Sequence, residues 1–186
     1  MANVLFISEN FVKDNTLLHE NIDFKFIRPV IIMCQDIYVQ QKTGTTLYNE
    51  LKTQITTPPL TAANKTLLDD YIQPMLLYWV QSEMPAAISF KYMNKGLMQQ
   101  TSESTRTSTL DEINFISEKY KNKAEWYTER LVRYLLENDT LYPSYSNPET
   151  GIDDIQPDFD SYSVGVYLGR RDVPRSLEDK YENRRV

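Results

Sequence analysis

One segment does most to constrain this chain: Leu110 to Glu137. Along it Ile113, Ile116, Tyr120, Ala124, Tyr127, Leu131 and Leu135 recur three or four residues apart, which puts them on one face of a helix. Thr109 or Asp111 serves as the N-cap, Glu112 lies near the positive end of the dipole, and Asn138 stands at the C-cap. At about 1.5 Å per residue such a helix is roughly 40 Å long, more than a small globular domain needs. The opposite face carries Phe115, Lys119, Trp126, Arg130 and Arg133, so a second surface is adhesive and basic.

Helical periodicity also runs upstream. Asp23 to Lys42 reads as a helix with Ile27, Val30, Ile31, Cys34, Ile37 and Tyr38 inward and Gly44 as its stop. Pro29 falls late for a first turn, so the helix starts nearer Phe26 or kinks there. Thr45 or Thr46 caps a shorter helix that buries Leu47, Tyr48, Leu51 and Ile55 and stops at Pro58-Pro59. Asn64 opens a further helix with Leu67, Leu68, Tyr71, Ile72, Met75, Leu76, Trp79 and Val80 buried. Pro74 should bend it and Pro85 restart it toward Phe90. After the turn signal Lys95-Gly96, residues 97–109 are rich in Ser and Thr, a loop or an extended arm that pairs with a neighbouring strand.

The character of the chain shifts near residue 138. Residues 1–137 hold 16 acids and 14 bases, whereas 138–186 hold 10 acids and 6 bases with four of the nine prolines. In that tail Asp139, Glu149, Asp153, Asp154, Asp158 and Asp160 come first, and every base follows residue 169. From Asn138 to Ser161 no amphipathic period is visible, which suits a segment that is disordered or held against another chain. Tyr162 to Gly169 is the one convincing strand. The expected fold is therefore mainly α: a long-helix bundle over 1–137 with an extended Ser/Thr-rich arm at 97–109. A largely irregular C-terminal arm with one short strand follows over 138–186.

Few catalytic devices are present. One Cys and one His exclude an internal disulfide, a Cys-rich zinc site and a His-rich metal site. Neither phosphate-binding glycine motif occurs, and no apolar run approaches a membrane span. The start of the chain lacks the basic and apolar regions expected of a signal peptide. Cys34 falls on an apolar stripe and reads as an inert core thiol rather than a nucleophile; His19 reads as a surface or boundary residue. The acids from Asp153 to Asp160 do not match a calcium loop and suit a solvated or partner-facing arm, with cation binding left open. No cofactor, metal or catalytic residue is expected. A net charge of −6 and a pI near 4.9 oppose general nucleic-acid binding.

Two features point to protein partners. The chain holds 13 Tyr, 7 Phe and 2 Trp, and Tyr142, Tyr145, Phe159, Tyr162 and Tyr167 lie in the tail without an evident core. Aromatic side chains bury large areas with little rotamer loss, so they either anchor a partner or pack back onto the chain's own helices. Arg170, Arg171 and Arg175 form a basic terminus that is a solvated tail or the match of an acidic partner, such as the acidic arm of the next copy. With Trp126, Arg130 and Arg133 these are the candidate contact residues between subunits or with a partner.

Certain segments carry a family resemblance. Lys95-Gly96-Leu97-Met98-Gln99-Gln100 with Ser102-Glu103-Ser104, Tyr120 to Tyr127, Arg130-Leu131 and Tyr134 to Asn138 resemble small structural proteins of tailed phages infecting Bacteroides-type hosts, the crAss-like phages among them. Leu5 to Glu9 and Gln40 to Tyr48 fit the same pattern, and Gly44-Thr45-x-Leu47-Tyr48 is similar to head–tail adaptors of other tailed phages. The likeness spans about residues 1–145. It implies a virion structural protein: a homo-oligomeric ring of twelve copies at the neck, contacting the portal protein and the next ring or tail protein. Such a subunit, made in the host cytoplasm, would line a channel that genomic DNA crosses without specific binding and would touch no membrane. The alternative is a small monomeric acid/base enzyme or a phage accessory binding protein.

Overall fold

The computed structural model describes residues 4–19, 21–93, 96–99, 109–148, 151 and 154–158. It is mainly helical. Among the described residues seven α-helices run in chain order: α1 (Glu9–Asp14), α2 (Phe24–Cys34), α3 (Gln40–Thr56), α4 (Ala62–Thr66), α5 (Gln73–Ser89), α6 (Leu110–Glu137) and α7 (Pro143–Ser146). Strands β1 (Phe90–Met93) and β2 (Gly96–Gln99) form an antiparallel pair with Met93 opposite Gly96. Of the stretch read as a loop or an extended arm, residues 97–99 pair with β1 of the same chain, and 100–108 lie outside the described residues.

Helix α5 is the centre. Met75, Leu76, Leu77, Trp79, Val80 and Met84 are buried on several sides of it, as suits a helix apolar around most of its circumference. It packs on α2 along one side and antiparallel to α6 along another. Two stacked tyrosine pairs, Tyr71 on Tyr134 at 3.9 Å and Tyr78 on Tyr127 at 5.0 Å, set the register of that pair. Next to the second pair, Trp79 Nε1 donates to Thr128 Oγ1 at 3.1 Å, while the indole stacks on Tyr38 at 3.7 Å. One indole thereby joins the α2 side of the molecule to α6.

Local signals explain the ends. Ser8, Asp23, Thr61 and Thr109 each accept a backbone N–H in the first turn that follows, and Thr109 forms a full capping box with Glu112. Helix α2 starts directly after Asp23 and runs through Pro29. Helix α5 likewise continues through Pro85, where a restart was expected.

Two π-helical segments are absent from the sequence expectation. Gln35–Val39 links α2 to α3, and Leu67–Ile72 links α4 to α5. A π turn inserts a residue and rotates the inward face. After Cys34 the apolar stripe accordingly passes to Gln35 and Val39, both buried, and Ile37, expected inside, stands half exposed. The buried Gln35 is well used: its Oε1 accepts from Phe6 N–H at 2.9 Å, and its Nε2 donates to the Val4 carbonyl and to Tyr48 Oη. It fastens the N-terminal segment onto the bundle. Gly44 does interrupt the helix as expected, with φ 74° and ψ 159° inside α3.

The division expected at residue 138 is not a structural one. Tyr142 and Tyr145 belong to the same hydrophobic core as α5 and α6. Residues 154–158 form a strap across the Gly44 kink. There Thr45 N–H donates to the Ile155 carbonyl, Asp158 N–H donates to the Gln41 carbonyl, and Lys42 Nζ meets Asp158 Oδ2 at 2.9 Å. The expected strand at Tyr162 to Gly169 lies outside the described residues.

Candidate functional site

The outward face of α6 brings three of the expected contact residues together. Trp126, Arg130 and Arg133 line an open cleft of about 280 Å³ whose other walls include Tyr71, Tyr134 and Glu129. The cleft arises from local chemistry. Pro74 has no N–H for the Asp70 carbonyl one turn back, and Arg130 Nη1 donates to that carbonyl at 3.2 Å. The guanidinium also lies 4.6 Å from the centre of the Tyr71 ring, a cation–π contact that keeps it flat along the groove. Arg130 therefore has a structural role within the chain beside any contact it makes outward.

Trp126 stands edge-on to Tyr127 at 4.9 Å yet remains 58% exposed, and Phe115, further up the same face, is 68% exposed. Arg133 pairs with Glu129 at 3.3 Å on the surface. Such an exposed i,i+4 pair contributes only roughly 0.3–0.5 kcal/mol, so the guanidinium is easily redirected to a partner. From Asn114 to Lys123 no α6 residue is buried. Ile113 near the helix start is buried apart from the main core, whereas Phe115, Ile116 and Lys119 are exposed. Between Lys119 and Arg133 the sequence places five bases and two acids, a local excess of positive charge on a chain of net −6.

The remaining expected contacts divide. Tyr142 and Tyr145 are 1% and 2% exposed, so they are core residues of their own chain rather than contact residues. The tail has no amphipathic period, but a 3-10 turn at Asp139–Leu141 and the short α7 fold these rings back against α3 and α6. Phe159, Tyr162, Tyr167, Arg170, Arg171 and Arg175 lie outside the described residues. Of the acidic stretch, Asp154 accepts from Gly151 N–H at 2.6 Å and Asp158 pairs with Lys42.

Asp158 also borders a second cleft, of about 230 Å³, with Lys42, Trp79, Lys121 and Thr128. This strap-side cleft and the Trp126 cleft use different flanks of α6. Glu50 is a further polar centre that sequence reasoning missed. It accepts from Asn64 Nδ2 at 2.8 Å, from Gln54 Nε2 at 3.0 Å and from Ser144, tying α3 to α4 and α7. Only a structure could reveal it, because the partners are scattered along the chain.

The thiol is shielded. Cys34 is fully buried, and burial pushes its thiol well above the usual range, with Glu83 adding to the shift. Folded protein should accordingly react with an aromatic disulfide reagent only as fast as it opens, and at the rate of a free thiol in denaturant. Rapid labelling under native conditions would contradict this burial. His19 is exposed and its Nδ1 accepts from Asn21 N–H at 3.1 Å. Burial likewise raises Tyr48, whose hydroxyl donates to Asp36, and Tyr38, whose hydroxyl donates to Glu83 at 2.9 Å. Among the described residues no group of three or more His, Cys, Asp or Glu could hold a metal ion. No described helix is long and apolar enough to cross a membrane.

No curated protein and no solved structure matches the chain. A family model does match residues 39–155, a span that takes in all the residues lining the Trp126 cleft and most of those lining the strap-side cleft. With more than half its length covered, the chain belongs to the family described as "Family of unknown function (DUF6712)".

Proposed function

We propose that this protein is a virion structural subunit of a tailed phage, forming a ring that joins the portal to the tail and lines the DNA exit channel. The observation that carries the reading is the outward face of α6. Over the ten residues from Asn114 to Lys123 this 28-residue helix buries no side chain, and its outward face presents aromatic and basic side chains to solvent. Large exposed aromatics are unfavourable in an isolated chain, and their usual reason is a partner that covers them. Net negative charge suits a channel wall, since an acidic surface makes none of the counterion-releasing contacts by which proteins hold DNA. The resemblance over residues 1–145 to neck proteins supports the same role.

The test is direct. Purified particles of a phage that encodes this chain should contain it at the neck, seen as a ring between portal and tail by cryo-electron microscopy. Disrupting the gene should leave filled heads without tails. A virion whose protein content by mass spectrometry lacks the chain overturns the reading.

A further inference from the structure

We infer that the chain beyond the strap turns into the strap-side cleft of its own molecule, where Phe159 seats its ring against Tyr38 and Trp79. The inference is independent of the ring reading. It moves Phe159 from the candidate partner contacts to the interior of its own chain.

The direction of the strap carries it. Ile155 is bonded to Thr45, Pro157 lies against Gly44, and Asp158 is bonded to Gln41 and Lys42. The strap therefore runs backwards along α3 toward that helix's start. About one turn further back stands Tyr38, which lines the cleft together with Gln41, Lys42 and Asp158. The described strap ends at Asp158, on the lip of this cleft, and residues 159–186 continue from there.

The cleft suits an aromatic ring. Tyr38 and Trp79, stacked at 3.7 Å, supply an aromatic wall, and Thr128 stands beside them. A protein cavity of about 150 Å³ admits a benzene ring, and this cleft measures about 230 Å³. Its charges balance: Lys42 already pairs with Asp158, while Lys121 and Glu125 supply one charge of each sign. Charge therefore selects neither an anion nor a cation, and the aromatic wall decides.

Tethering decides whose ring enters. Phe159 follows Asp158 directly, so bringing it to the cleft closes almost no loop and loses little chain entropy. A ring from a second copy would bear the full cost of association. Once seated, Phe159 fastens the strap to α6 as well as to α3, because Lys121 and Thr128 of the cleft belong to α6.

The experiment is nuclear magnetic resonance on the full-length chain. It holds two indole N–H groups, and Trp126→Phe assigns the signal of Trp79 by elimination. Phe159→Ala should shift the Trp79 signal and leave the Trp126 signal in place. In the unsubstituted protein, Overhauser cross-peaks should join the Phe159 ring, assigned through Phe159→Leu, to the rings of Tyr38 and Trp79. A mixture of chains labelled only on phenylalanine with chains labelled only on tryptophan should show no Phe159–Trp79 peak, since the contact lies within one molecule. A peak that survives in that mixture gives the cleft to the tail of a second copy and overturns the inference. A Trp79 signal indifferent to Phe159→Ala, or unsubstituted protein without the cross-peaks, overturns it too. The ring reading stands or falls separately, on the presence of the chain in the virion.

Discussion

Replacing Gly44 by alanine should destabilise the folded chain by about 3 kcal/mol, the sum of a backbone and a steric effect. The backbone effect follows from φ 74° and ψ 159° at this residue. That region is essentially closed to side chains with a Cβ and costs them on the order of 1–3 kcal/mol. The steric effect comes from Pro157, whose Cγ and Cδ lie 2.8 Å from where the new Cβ would stand. A proline ring has little freedom to move aside, so the strap itself must shift and weaken the Thr45 N–H bond to the Ile155 carbonyl. For a chain of this size the loss corresponds to a fall in Tm of roughly 6–12 °C. Urea unfolding of Gly44→Ala, Pro157→Ala and the double variant separates the two effects. Removing the proline ring should restore part of the loss but not the backbone share. A cost below about 1 kcal/mol for Gly44→Ala would mean that the chain does not adopt this kink.

Gly44 shows what was legible and what was not. A glycine after an apolar stripe signals a helix stop, and the stop is there. That a segment more than a hundred residues later lies against it leaves no trace in local pattern, since the strap has no periodicity and is held largely through its backbone groups, with the Lys42–Asp158 pair beside them. The long helix was readable to its caps, because Thr109, Glu112 and the spacing from Ile113 to Leu135 all agree. Only Ile116 departs from the predicted inner face, in the stretch where α6 buries no side chain. The π turns were not readable. A 3.6-residue period carries Ile37 inward, and only the residue inserted at Gln35–Val39 turns it out and buries Gln35 in its place.

The candidate surface was legible in the same measure. Trp126, Arg130 and Arg133 share a face by spacing alone, and the structure sets them around one cleft. What spacing could not supply was the second task of Arg130, because the Asp70 carbonyl and the Tyr71 ring reach it from a different helical run. Tail aromatics went the other way. Tyr142 and Tyr145 follow a helix end, in a stretch where hydrophobic periodicity is silent, and their destination depends on a turn of only a few residues.

Tyr142→Ala decides between the two destinations, and the structure sets a large expected effect. The ring is 1% exposed, packs edge-on against Tyr134 at 5.9 Å, and its hydroxyl donates to the Ala63 carbonyl at 2.8 Å. Removing a buried aromatic side chain costs about 3–5 kcal/mol, as the cavity closes only in part. Tyr142→Phe keeps the ring and should cost about 1 kcal/mol, for the Ala63 carbonyl still accepts from Leu67 N–H at the end of α4. Both values come from chemical unfolding of the isolated chain. If Tyr142 served a partner instead, Tyr142→Ala would leave the free chain as stable as wild type and fail only in assembly. The same contrast applies to truncation. A chain ending at Glu137 loses Tyr142, Tyr145 and the Ser144 bond to Glu50 together, so it should unfold well before the full-length protein rather than survive as an intact bundle.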